Sequence, residues 1–175
     1  MRVGRSGAFA WMTFLGLSLN ATTMAQVSPQ PDGAARGETV SWTVSAPTED
    51  AIKPGSRLTL TLRGTIQDSW HLYSLKQAPD GPTPLLISLG ANSVATAGGA
   101  VTGTAPTKRR DPAFGLNTQY YEHAFTLTVP VRLKPNLKPG QQAIPLNVRF
   151  QTCNGTVCQP PKTVRLSAPV NLAGR

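Results

Sequence analysis

Two cysteines occur in the 175-residue chain, Cys153 and Cys158, with four residues between them. They sit in the run Phe150-Gln151-Thr152-Cys153-Asn154-Gly155-Thr156-Val157-Cys158-Gln159-Pro160-Pro161, at the end of a strand-like pattern. Two sulfurs this close can do one of two things in an oxidising compartment. They can staple a hairpin tip, or they can exchange electrons with a partner's thiols. Exchange needs one sulfur open to in-line attack by a thiolate and a second to resolve the mixed disulfide. Asn154-Gly155 favours a sharp turn that brings the sulfurs together, and Pro160-Pro161 stiffens the exit while removing two backbone donors. As a staple the pair is weakly placed. Closing a six-residue loop contributes only about 2 kcal/mol by chain entropy, against about 4 kcal/mol for a loop of some sixty residues. Nothing positively charged lies in the loop to lower a thiol pKa. The residues alone leave staple and redox pair level.

Other chemistries are poorly supported. His71 and His123 could complete a two-Cys, two-His metal set. The cysteine spacing is wider than in finger pairs, and an oxidising space disfavours free thiolates, so no metal is expected. No cofactor is expected either. A hydrolase triad lacks a nucleophile elbow.

The compartment follows from the N-terminus. Residues 1–25 read as a secretory signal peptide: Arg2 and Arg5, an apolar stretch from Ala8 to Leu19, then Thr23-Met24-Ala25 before a cleavage point at Gln26. The apolar run is short for a membrane span. Residues 26–37, rich in Pro and Gly, read as a disordered segment, and 38–175 as one domain large enough for a hydrophobic core. The formal charge of +9 falls by two, to +7, when Arg2 and Arg5 are removed. A nucleic-acid partner is not expected, because the charges are scattered and the densest cluster, Lys108-Arg109-Arg110, reads as a solvated loop.

The elements that must position the cysteines are strands. Leu58, Leu60 and Leu62 alternate with polar residues, as do Phe125 to Leu133, Ile144 to Phe150, and Val164 with Leu166. Further candidates are 39–45, 70–75 and 84–89. No sustained helical stripe appears. Seven or eight short strands predict an all-β chain, a two-sheet antiparallel sandwich, with a barrel as the alternative. Pro130 predicts that the strand over 125–133 is an edge strand or carries a bulge.

Three segments carry a resemblance. Trp70-His71-Leu72-Tyr73-Ser74-Leu75, then Asp111-Pro112-Ala113-Phe114-Gly115 with Tyr120-Tyr121-Glu122, then Val148 to Val164 around the cysteines are similar to the N-terminal domain of thiol:disulfide interchange protein DsbD. The likeness covers roughly 38–168, in order and spacing. It implies an immunoglobulin-like β-sandwich in the periplasm. It also implies a redox-active Cys153–Cys158 disulfide. Cys158 would form mixed disulfides with thioredoxin-fold partners, in disulfide isomerisation or cytochrome c maturation, and Cys153 would resolve them. By position, Tyr120 and Tyr121 match an aromatic cap over the pair and Tyr73 an aromatic beside it. Read as residues alone, Tyr120 and Tyr121 have a second, weaker reading as an aromatic pair at a strand start. The best-known member has five residues between its cysteines, and acidic residues stand before its cap where this chain has Thr118 and Gln119. A chain stopping at Arg175 without membrane or thioredoxin domains would take its electrons from a separate membrane donor.

Overall fold

The computed structural model describes residues 34–36, 39–48, 52–91 and 94–174, the first group as backbone only. The expected signal peptide lies outside the described residues, as does most of the segment expected to be disordered. Ala34–Arg36 is the exception. It forms a strand, β1, that pairs with the outer side of β2 (Val40–Ser45). The described residues contain thirteen strands and no helix.

Two sheets make the sandwich, and the fold is an all-β, immunoglobulin-like one. The larger runs β1-β2-β3-β10-β6, with β3 at Arg57–Ile66, β10 at Ala124–Leu133 and β6 at Ala95–Ala97; the short β7 (Thr102–Gly103) also pairs with β10. The smaller runs β13-β11-β5, from Lys162–Leu172 through Gly140–Phe150 to Leu86–Leu89. Every strand pair is antiparallel. The alternation read from sequence is obeyed residue by residue. In β3, Leu58, Leu60, Leu62 and Ile66 are buried while Arg57, Thr59, Thr61 and Arg63 face solvent. Burying each leucine contributes roughly 1.5–3 kcal/mol, so the period-two pattern fixes the register of the sheet.

The core centres on Trp42, which meets Phe125 edge-on at 5.6 Å and Phe150 at 5.3 Å. Gly64 lies between Trp42 and Phe125 in the paired strands, and a Cβ there would stand 2.6 Å from the Phe125 ring. The absent side chain is what admits that ring.

Pro130 does not mark an edge. β10 is an inner strand, flanked by β3 on one side and by β6 and β7 on the other. The neighbour on that second side is broken between Ala97 and Thr102, and Pro130 faces the break. Its carbonyl accepts from Gly98 N at 2.9 Å. The N–H that proline lacks points toward the same gap, so no ladder bond is lost.

A third sheet continues past one end of the sandwich, in the order β12-β4-β9-β8: Thr152–Cys153, His71–Tyr73, Leu116–Glu122 and Thr107–Asp111. These strands prolong β11, β3 and β10. The chain turns between sheets at Ser69 (φ 70°) and His123 (φ 58°), two left-handed residues at the joints. Thr39 and Thr152 tie the sheets through a 3.0 Å hydroxyl pair. The basic cluster Lys108-Arg109-Arg110 is solvated, as expected, but it is a strand rather than a loop, at the outer edge of this sheet.

Candidate functional site

The third sheet is set by the strands it prolongs, and its register decides which side chains meet. Cys153 opposes His71 across β12 and β4; Tyr73 opposes Tyr120 across β4 and β9. Partners across a strand pair share a face. One face therefore carries Cys153, His71, Tyr73, Tyr120 and Glu122. The opposite face carries Leu72 and Tyr121 and packs on the sandwich core.

Cys153 and Cys158 form a disulfide with Cα atoms 4.1 Å apart. The loop between them is closed by its own groups. Asn154 Oδ1 accepts from Thr156 N at 2.9 Å and Val157 N at 2.7 Å, and Gln159 N donates to Thr152 O at 2.9 Å. This side-chain turn is the chemistry that asparagine supplies in tight loops. Cys153 is 1% exposed, whereas Cys158 is half-buried and follows Val157, an apolar residue 54% exposed.

Around the disulfide Tyr73, Tyr120 and Cys153 form a small buried cluster separate from the main core, with Phe114 and Cys158 packed against it. Phe114 comes from the β8–β9 turn and meets the Tyr73 ring edge-on at 5.8 Å. Asp111 builds that turn. Its Oδ1 accepts from Ala113 N at 2.9 Å, its carbonyl accepts from Gly115 N at 2.8 Å, and Gly115 takes φ +64°. Its Oδ2 accepts from Tyr73 Oη at 2.7 Å and from Thr118 Oγ1 at 3.4 Å. Asp111 is thus a buried carboxylate held by donors, as burial of a charge requires. Tyr73 Oη also lies 4.0 Å from Cys158 Sγ.

Burial raises the Tyr73 phenol pKa far above the ordinary range, helped by its hydrogen bond to Asp111, so Tyr73 stays a neutral donor. Burial lowers the His71 pKa below its usual value; Asp111 and Glu122 oppose the shift and Arg109 adds to it. Burial raises the Tyr120 pKa, opposed by the Arg109 guanidinium, which stands 5.6 Å over the Tyr120 ring. A cleft of about 370 Å³ opens beside the disulfide loop, lined by His71, Arg109, Tyr120, Glu122, His123 and Asn154 among others.

These placements separate the sequence expectations. Tyr73 and Tyr120 do meet the cysteines. Tyr121 does not: as the next residue of a strand it points the other way, stacks on Phe125 at 4.2 Å and belongs to the sandwich core. Neither tyrosine lies on a loop. The aromatic on a turn against the disulfide is Phe114, and the acid beside it is Asp111. Thr118 donates to Asp111. Asp-Pro-Ala-Phe-Gly carried the needed signal, an Asp that caps its own turn and a Gly that closes it.

The family model for the N-terminal domain of thiol:disulfide interchange protein DsbD matches residues 43–168. The chain belongs to that family. Two solved structures compare with it. The DsbD N-terminal domain of Neisseria meningitidis in the reduced form is 19% identical, over 64% of this chain and 77% of that one, with a TM-score of 0.45. The N-terminal periplasmic domain of ScsB from Proteus mirabilis is 16% identical, over 80% of this chain and half of that one, with a TM-score of 0.51. The ScsB likeness supports the fold. No curated protein sequence matches the chain. Membership of the DsbD N-terminal family and the joined cysteines make this a thiol:disulfide interchange domain.

Proposed function

We propose that this domain works in the periplasm and passes reducing equivalents through Cys153 and Cys158 to or from thioredoxin-fold proteins, with a membrane protein as electron donor. Membership of the DsbD family motivates the reading. The single observation that carries it is the asymmetry of the two sulfurs: Cys153 is sealed, while Cys158 is half-buried at a loop with an exposed Val157 beside it. In-line attack needs an approachable sulfur, so Cys158 takes the mixed disulfide and Cys153 resolves it. Phe114, seated on the Asp111 turn, takes the role of the cap. It screens the pair from stray thiols and swings aside when a partner docks, as a loop one turn long can do.

The test is a partner trap. A Cys153→Ser variant leaves Cys158 unable to resolve, and it should hold a thioredoxin-fold protein through a mixed disulfide that dithiothreitol releases. If Cys153→Ser captures no such protein while Cys158 still reacts with small disulfides, the carrier reading fails. The competing role, a purely structural disulfide in a binding module, predicts a pair that does not reduce until the domain unfolds.

A further inference from the structure

Four buried side-chain polar atoms lack a hydrogen-bond partner among the described residues, and two of them, Tyr120 Oη and His71 Nε2, belong to residues on the sheet face that carries Cys153. A buried donor without a partner costs about 1–3 kcal/mol, and folded proteins leave few of them. Two such atoms beside one redox group point to a state in which they are used. We infer that His71 and Tyr120 form a cradle for the thiolate that Cys153 becomes when the disulfide opens. The inference rests on the exchange reading above and gives that chemistry residues of its own.

The placement supports it. Cys153 and His71 are direct cross-strand partners, which puts their Cβ atoms about 4.5–5.5 Å apart on one face. Tyr120 packs in the buried cluster with Cys153, and its ring lies 4.8 Å from the His71 ring. In the disulfide, neither Tyr120 Oη nor His71 Nε2 bonds to a sulfur. Tyr73 cannot take the role, because its hydroxyl is committed to Asp111 at 2.7 Å.

The chemistry requires such donors. A partner thiolate attacks Cys158 Sγ and forms a new S–S bond there. The Cys153–Cys158 bond breaks, and its electron pair leaves on Cys153 as a thiolate. That charge appears at a residue 1% exposed, where water cannot solvate it. A phenol O–H and an imidazole N–H that turn onto the new thiolate stabilise it, as an oxyanion hole does for oxygen. A proton drawn from solvent through the adjoining cleft, which His71 and Tyr120 both line, then completes the thiol.

The charges facing His71 set the direction of its response. They are Asp111 and Arg109 from β8, Glu122 and the Tyr120 phenol from β9, Tyr73 from its own strand and Cys153 from β12; His123 lines the same cleft. A thiolate at Cys153 adds a third negative charge to Asp111 and Glu122, so the proton affinity of His71 rises on reduction.

The experiment is a pH titration of the reduced domain, 13C-labelled at the cysteine Cβ and followed by NMR, in wild type, Tyr120→Phe and His71→Phe. Tyr120→Phe should raise the Cys153 thiol pKa by about one unit, roughly tenfold less thiolate at a given pH. It should leave the thermal midpoint of the oxidised domain unchanged or higher, because the lost hydroxyl had no partner there. His71→Phe should raise the same pKa and remove the second inflection that the histidine imposes. Cysteine titrations that superimpose in all three proteins overturn the cradle while leaving the exchange reading standing. A wild-type disulfide that no thiol reduces until the domain unfolds overturns the exchange reading, and the cradle with it.

Discussion

Replacing Phe114 with alanine probes the turn over the disulfide. The ring is half-buried, packs against the cluster of Tyr73, Tyr120 and Cys153, and meets Tyr73 edge-on at 5.8 Å. An aromatic pair of this kind is worth about 0.5–1.5 kcal/mol beyond burial, and partial burial of the ring brings the total holding the turn closed to about 1–2 kcal/mol. On the proposed reading a small thiol reaches Cys158 only when the turn lifts. Removing that energy should therefore speed reduction by a small thiol about five- to thirtyfold, at about 1.4 kcal/mol per factor of ten. The assay is pseudo-first-order reduction by dithiothreitol at neutral pH, stopped with acid and read by mass spectrometry. Phe114→Leu should fall between the two. An unchanged or slower rate in Phe114→Ala, with the thermal midpoint of the oxidised domain lowered by only a few degrees, would refute the idea that this ring screens the disulfide.

Further predictions concern the supports of the site. Tyr73→Phe removes a charge-assisted hydrogen bond from a buried carboxylate and should cost about 2–3 kcal/mol by urea unfolding. A double-mutant cycle with Asp111→Asn should return a coupling well above 0.5 kcal/mol, and simple additivity would contradict the assigned pair. Because burial lowers the His71 pKa, folding favours its neutral ring. That stability is complete above about pH 6.5 and is lost as pH falls through the lowered folded value, so His71→Phe should flatten the acid limb of a stability–pH curve below about pH 6.5. Gly64→Ala should push the Phe125 ring off its seat against Trp42 and cost about 1–3 kcal/mol, seen as a lower urea midpoint at unchanged m-value.

The sandwich was legible because burial enforces period two. Leu58 to Ile66, Phe125 to Leu133 and Ile144 to Phe150 each bury one side against the opposing sheet, and that signal does not depend on what lies beyond it. The third sheet was much less so. β8 is Thr-Lys-Arg-Arg-Asp, with four exposed residues and one buried aspartate, so it carries no hydrophobic alternation. β12 is two residues long, and its partner β4 only three. Their pairing is decided by the course of β11, β3 and β10, information that lies far away in sequence. The same reason explains the cap. Tyr120 and Tyr121 looked like one aromatic unit, but adjacent strand residues face opposite ways, so one joined the cysteines and the other the core. Pro130 misled for a similar reason: what matters is the break in the strand opposite it, which the proline itself does not reveal.

The separateness of the cysteine cluster bears on whether the disulfide is a staple. It closes a loop whose own asparagine already makes three hydrogen bonds across it, through Oδ1 and its backbone N–H. The residues clustered with it are Tyr73, Tyr120 and Phe114, not the sandwich core built on Trp42. A staple acts by restricting the unfolded chain, and a loop this short limits that to about 2 kcal/mol. The double variant Cys153→Ser/Cys158→Ser should therefore stay folded and lose no more than that in urea unfolding. The same shortness lets the bond open without disturbing the core, which is what a reversible carrier requires. Equilibration against a thiol redox buffer provides the complementary measurement. A potential above about −300 mV, reached with the domain still folded, fits exchange, and a lower value marks a structural bond. A loss of several kcal/mol in the double variant together with such a low potential would make the disulfide part of the fold rather than part of its chemistry.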